Sequence, residues 1–253
     1  MAPGVNAMQA IRYMDLSEKR ITMTPIVRKA ARTYGVALLW LMTIGADDSL
    51  SARRPTWSAN FVARVEALAL LQTLNAELLA HDSATLTLEH WCRAHRMASP
   101  PRIVAARVAG VDKPVSPEQR RELGVTSAEP IRYRRVRLLC GAVVLSEADN
   151  WYVPGRLTPE INKVLDTTDT PFGKAVQSLQ FQRRTLSSKV LWFPLPEGWE
   201  MDATAAGDDA GVLSMPPILL EHRAVLTLPD GKPISEVVES YTSNVLAFPL
   251  PQP

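Results

Sequence analysis

Two apolar-rich runs, Ile131 to Leu139 and Ala142 to Val153, flank Cys140-Gly141, and no other feature constrains the fold as strongly. A glycine turn between two such runs reads as an antiparallel hairpin. A second hairpin closes the chain: Ala224-Val-Leu-Thr-Leu228, then Pro229-Asp-Gly-Lys232, then Ile234 to Tyr241. Proline presets one torsion of such a turn and glycine accepts the positive one. Ile103 to Val108 and Leu179 to Leu191 read as further strands.

Helical signals lie between these runs. Phe61, Val65, Leu68, Leu71 and Leu74 recur every three or four residues within 56–80, the spacing of one helix face. His81-Asp-Ser83 breaks that pattern, and Thr85-Leu-Thr-Leu-Glu89 alternates briefly in polarity. Pro117-Glu-Gln-Arg120 allows a short helical turn. Thr158-Pro-Glu160 opens a helix with a cap, a first-position proline and an early acid. Phe172-Gly173 begins another short helical stretch, and residues 196–216, rich in Gly, Asp, Ala and Pro, look like a loop insertion. Hairpins with helices set apart from them predict an α+β domain, over residues 56–253.

The N-terminus has its own pattern. Arg28, Lys29 and Arg32 precede an apolar run from Val36 to Ile44, then small residues up to Ala46 and Asp47-Asp48. This is the order of a secretory signal, with cleavage after Ala46 and a periplasmic or secreted mature chain. Residues 1–22 then form an upstream extension, with Met23 as a candidate start. The alternative is a buried amphipathic helix on a cytoplasmic domain. No run of 18 apolar residues occurs, so no ordinary membrane span is expected.

Charge excludes little and suggests little. The formal net charge is +2, which gives no case for nucleic-acid binding. Residues 1–46 hold six basic and two acidic side chains, so they carry +4 and the rest of the chain −2. The two cysteines, Cys92 and Cys140, make no disulfide framework and no zinc pattern; Cys140, in an apolar strand end, reads as a buried thiol. The four histidines show no metal spacing. No Ser/His/Asp order or glycine-rich phosphate loop stands out.

Three ordered segments resemble the chorismate pyruvate-lyase family. They are Tyr133-Arg-Arg-Val-Arg-Leu-Leu-Cys140 continuing through Glu147-Ala-Asp-Asn-Trp-Tyr-Val-Pro154, then Thr170-Pro-Phe-Gly173, then Gly231-Lys-Pro-Ile-Ser-Glu-Val-Val-Glu239. Leu78 to Glu89, with Asp82-Ser83, is similar to the end of the family's first helix. The resemblance covers about residues 74–248. It implies a chorismate lyase-like antiparallel sheet of six strands with helices on one side, burying its ligand under two flaps. It implies a lyase that takes pyruvate from chorismate and leaves 4-hydroxybenzoate, towards ubiquinone biosynthesis, with no cofactor and no metal. The fold is shared with the effector-binding domain of GntR-type regulators, so a non-catalytic binder of a small aromatic carboxylate is the other reading. A monomer is expected in either case.

The resemblance also nominates residues. Arg135 matches the family's ligand-binding arginine, whose planar fork suits a carboxylate. In a strand Arg135 and Arg137 share one face, with Arg134 and Val136 on the other; both Arg135 and Arg137 could instead be solvated. Glu239 matches the glutamate that faces the ring hydroxyl, where it would manage a proton. One extra residue between Gly231 and Glu239 leaves Glu236 as its rival. Phe172 and Gly173 match a backbone donor to a carboxylate. Asp149-Asn150 stands where the family often has Gly-Arg, which removes one cation.

Overall fold

The structure is a computed structural model, and it describes residues 56–201 and 211–248. The extension and signal expected over 1–46 lie outside the described residues, as do 202–210 of the expected insertion.

Helix α1 spans Phe61–Ala80, and its start is fixed by Asn60, whose side chain accepts from Ala63 N at 2.8 Å. Its buried face is Ala63, Ala67, Leu71, Leu74 and Leu78. Leu71, Leu74 and Leu78 fall on the expected apolar face, whereas Phe61, Val65 and Leu68 are only partly buried and Ala63 and Ala67 take the buried positions of the first turns. Helix α2 spans Ala84–Ala94 behind the cap Ser83. The alternation of Thr85 to Glu89 therefore does not signal a strand. Leu88, Trp91 and Cys92 extend the apolar face of Ala84 and Thr85 at helical spacing, and that longer period decides the local structure.

Strand β1 is Ile103–Arg107, and the short helix α3 is Pro117–Glu122, started by a reciprocal Ser116–Gln119 capping box. Strands β2 (Arg132–Cys140) and β3 (Val143–Tyr152) form the first expected hairpin. Its turn passes through Gly141 at φ +58°, where an added Cβ would also lie 2.9 Å from the Cβ of Ala98. Helix α4 is Pro159–Thr167, capped by Thr158, and α5 is the single turn Phe172–Ala175. Strands β4 (Gln182–Val190), β5 (Ile218–Thr227) and β6 (Pro233–Thr242) complete one antiparallel sheet in the order β1-β2-β3-β6-β5-β4. The parts of 196–216 that are described carry no helix or strand, only an isolated bridge from Val212 to Ser58.

One face of the sheet packs on α1 and α2. Val136, Leu138, Ala148, Val237 and Tyr241 from the strands meet Leu71, Leu74, Leu78, Leu88 and Trp91 from the helices. Burying each large apolar side chain contributes roughly 1.5–3 kcal/mol. Trp91 and Trp57 donate their indole N–H to the carbonyls of Val245 and Leu246, which pins the chain end after β6. The other face is apolar only locally, where Trp151, Tyr133 and Val238 pack with Leu123 and Val125 around α3.

Cys92 and Cys140 form a disulfide, with Cα atoms 6.1 Å apart. The reading of Cys140 as a buried thiol is thereby corrected. Cys92 lies on the sheet-facing side of α2 and Cys140 on the inward face of β2. Only the packing of helix on sheet brings them together, across 48 residues of sequence.

Candidate functional site

The alternation of β2 decides which arginine faces inward. Val136, Leu138 and Cys140 are buried on the helix side, and Arg134 belongs to the same set two residues back. Ala148 and Asn150 of β3, Val237 and Glu239 of β6, and Arg183 of β4 reach the same space. The starts of α2 (Ser83 to Thr85) and α5 (Phe172-Gly173), with Phe181, close it into a cavity. The two helix starts are so close that a Cβ at Gly173 would lie 3.0 Å from Ser83 Oγ and 3.2 Å from Thr85 Oγ1.

Arg134 is 4% exposed. Its Nη2 donates to the Thr170 carbonyl at 3.1 Å, while Nε and Nη1 are buried with no hydrogen-bond partner. Burial, then the nearby Arg107, pushes its pKa down to about 10. A buried cation with unmade hydrogen bonds is costly, and in the wall of a cavity it is suited to an incoming anion.

The far side of the cavity holds a closed ion pair. Arg183 Nη2 donates to Glu239 Oε2 at 2.6 Å, with the two side chains 4% and 8% exposed. Burial works against the Arg183 charge, and Glu239, with Tyr241 and Asp82, more than offsets it, so its pKa is raised. Tyr241 donates its hydroxyl to the same Glu239 oxygen at 3.1 Å; burial, then the Glu239 charge, raises its pKa well above the usual value. Behind them His222 is fully buried, donating from Nε2 to Asn75 Oδ1 at 2.8 Å, and burial lowers its pKa. Arg183 Nε has no partner.

The cavity is tight, about 40 Å³, enough for water, which needs roughly 10–15 Å³. It adjoins an open pocket of about 450 Å³ lined by Glu77, His81, Leu86, His90, Gln177 and Gln180, and the two share Asp82, Ser83 and Phe181.

Of the residues nominated from sequence, Phe172, Gly173 and Glu239 come together at this cavity. Arg135 and Arg137 do not. They lie on the opposite face of β2 and both donate to Glu147, at 2.9 and 3.0 Å. Glu236 is likewise on the opposite face of β6, accepting from Arg223 Nε at 2.8 Å. Asp149 sits on that face too, paired with Lys113 and accepting from the Tyr133 hydroxyl at 2.5 Å, so it puts no charge in the cavity. In each case the period of two assigns the residue to a face, and the buried apolar neighbours decide which face is inside. Arg134 was legible on that basis, since it shares its period with Val136 and Leu138. Arg183 and the α2 start carried no such signal, because β4 alternates weakly and reaches the cavity only through the sheet order.

No family model matches the chain. An uncharacterised protein, y4mC of Sinorhizobium fredii (strain NBRC 101917 / NGR234), is 55% identical over 220 residues, which cover 87% of this chain and 92% of that protein. The chain belongs to the y4mC family. Among solved structures, the effector domain of PhnF from Mycobacterium smegmatis matches this y4mC-family chain at TM-score 0.39 and 16% identity, over 61% of this chain and 88% of that one. A GntR-family transcriptional regulator from Enterococcus faecalis V583 matches at 0.35 and 13%, over 58% and 99%. YydK from Bacillus subtilis matches at 0.35 and 19%, over 60% of this chain and only 62% of its own length. With TM-scores below 0.5, these likenesses say nothing of what a y4mC-family chain binds, and none of the relatives named here is a chorismate pyruvate-lyase.

Proposed function

We propose that this chain binds a small molecule through a carboxylate, held by Arg134 in the cavity between the sheet and the starts of α2 and α5. The observation that carries the reading is Arg134 itself, buried in the cavity wall with Nε and Nη1 unpartnered. The rest of the wall, with Phe172, Phe181, Leu138, Leu226 and Val237, suits a flat apolar body such as an aromatic ring. A ring needs more room than the inner cavity gives, and it would gain that room where Phe181 divides the cavity from the outer pocket.

This reading is closer to the binding module than to the lyase. A lyase would ask Glu239 to handle a proton, yet Glu239 already accepts from Arg183 and Tyr241. The test uses benzoate as the probe and melting temperature as the readout, because a ligand selective for the folded state raises the midpoint. Benzoate is expected to stabilise the wild type and to leave Arg134→Gln unchanged. Equal stabilisation of both would remove Arg134 from the site. Incubation with chorismate, followed for pyruvate, separates the two activities: turnover above the uncatalysed rate would restore the lyase.

Export is proposed with it. Disulfides persist in oxidising compartments, and the Cys92–Cys140 bond agrees with the basic-then-apolar order of residues 28–44. N-terminal sequencing of the native protein should find Asp47 first; an intact Met1 or Met23 would overturn this.

A further inference from the structure

We infer that the cavity selects monoanions and rejects dianions, and that Glu239 is the residue that sets this limit. The inference rests on the carboxylate-binding reading above and specifies its ligand class. The charged groups that face the cavity are Arg134, Arg183, Glu239 and, at the rim, Asp82. Arg183 and Glu239 neutralise each other at 2.6 Å. Asp82 is exposed and accepts from the Arg183 backbone N–H at 2.8 Å. One positive charge, on Arg134, is left without a carboxylate inside the cavity.

A ligand with one carboxylate completes that balance. Inside the cavity a second carboxylate would meet Glu239, whose pair with Arg183 leaves no free positive charge. Like charges brought together in a site shielded from water repel strongly. A longer dianion gains no fixed cation by reaching outward, because among the described residues the outer pocket is lined by Glu77 and Asp82 and by no arginine or lysine, its basic side chains being His81 and His90. What the far side does offer is a hydrogen-bond donor, the unpartnered Arg183 Nε, which suits an uncharged oxygen. Glu239 thus acts as a specificity residue through charge, with no proton to transfer.

The full-length chain is titrated calorimetrically with benzoate and with benzene-1,4-dicarboxylate, both rigid and of one ring. Wild type is expected to bind benzoate more tightly by on the order of tenfold to a hundredfold. Glu239→Gln, which frees the Arg183 charge, is expected to reverse the order. Should that variant fail to fold, Arg183→Met/Glu239→Gln removes the pair together, keeps the single Arg134 charge, and is expected to keep the preference for benzoate. Equal or tighter binding of the dicarboxylate by wild type overturns the inference while leaving Arg134 as the anchor. Absence of binding by either acid overturns the carboxylate reading, and the selectivity with it.

Discussion

The two faces of the sheet differ in how their cations are paired. On the solvent-side face Arg135 and Arg137 share Glu147, Arg223 bridges Glu236 and Glu118, Arg184 meets Glu122, and Lys189 meets Glu221. Each of these cations has a carboxylate. On the helix-side face Arg183 has Glu239, but Arg134 has only a carbonyl for one nitrogen. These cations of the solvent-side face are all paired, although Glu236 Oε2 there is buried without a partner, whereas Arg134 on the helix-side face has no carboxylate. A buried cation without a carboxylate, rather than the number of charged residues, marks the site.

The sharpest way to break this contrast is to remove Arg183. Arg183→Ala leaves Glu239 buried without its partner, and losing one member of a buried pair costs about 3–5 kcal/mol; chemical denaturation should show it as a lowered midpoint. Removing the Cys92–Cys140 bond by a double alanine substitution should cost about 2–4 kcal/mol, since it releases α2, which roofs the helix-side face, from β2. Denaturation with and without reductant should reproduce the difference in wild type.

Arg134 should behave in the reverse sense to Arg183. Arg134→Gln should lose about 2–5 kcal/mol of benzoate affinity, while the unliganded protein unfolds no earlier than wild type, because a costly buried charge has gone. A clear loss of unliganded stability would show that Arg134 is structural. Its pH behaviour sharpens the point. Burial holds the folded pKa at about 10, below its ordinary value, so between the two the unfolded chain binds more protons at this position. The penalty is therefore present below pH about 10 and relieved as pH rises through it. Benzoate binding should weaken across that same rise, since the neutral guanidine no longer attracts the anion; calorimetry from pH 8 to 11 should record the fall.

The smallest effect is expected at Arg135. Arg135→Ala removes a partly exposed pair, which is worth about 0–1 kcal/mol, and should leave benzoate affinity unchanged. A binding defect there would reinstate the strand register that the family resemblance implies.

The local patterns that held up were those whose physics is local. The Gly141 and Pro229-Asp-Gly turns fixed both hairpins, and Thr158-Pro159 started α4 where the cap rule puts it. The brief alternation of Thr85 to Glu89 assigned no element, because five residues are too few to tell a period of two from one of 3.6. The Ser83 cap and the continuing Leu88-Trp91-Cys92 face lay just outside that window. Within the candidate site, Phe172, Gly173 and Glu239 were reachable by resemblance, whereas Arg135 was preferred to Arg134 on motif alignment alone.

By itself, the sequence determined the antiparallel hairpins, the capped helices and the division of β2 into an Arg134–Val136 face and an Arg135–Arg137 face. These follow from backbone torsions and from the periods of side-chain direction, which neighbours in the chain set between them. Only the tertiary structure decided which face is covered by α1 and α2, that Cys92 meets Cys140, and that Arg183 crosses from β4 to meet Glu239 on β6. Those outcomes depend on the strand order and on burial, where residues 48 and 56 positions apart become neighbours. The cost of an unpaired charge arises only once that burial exists.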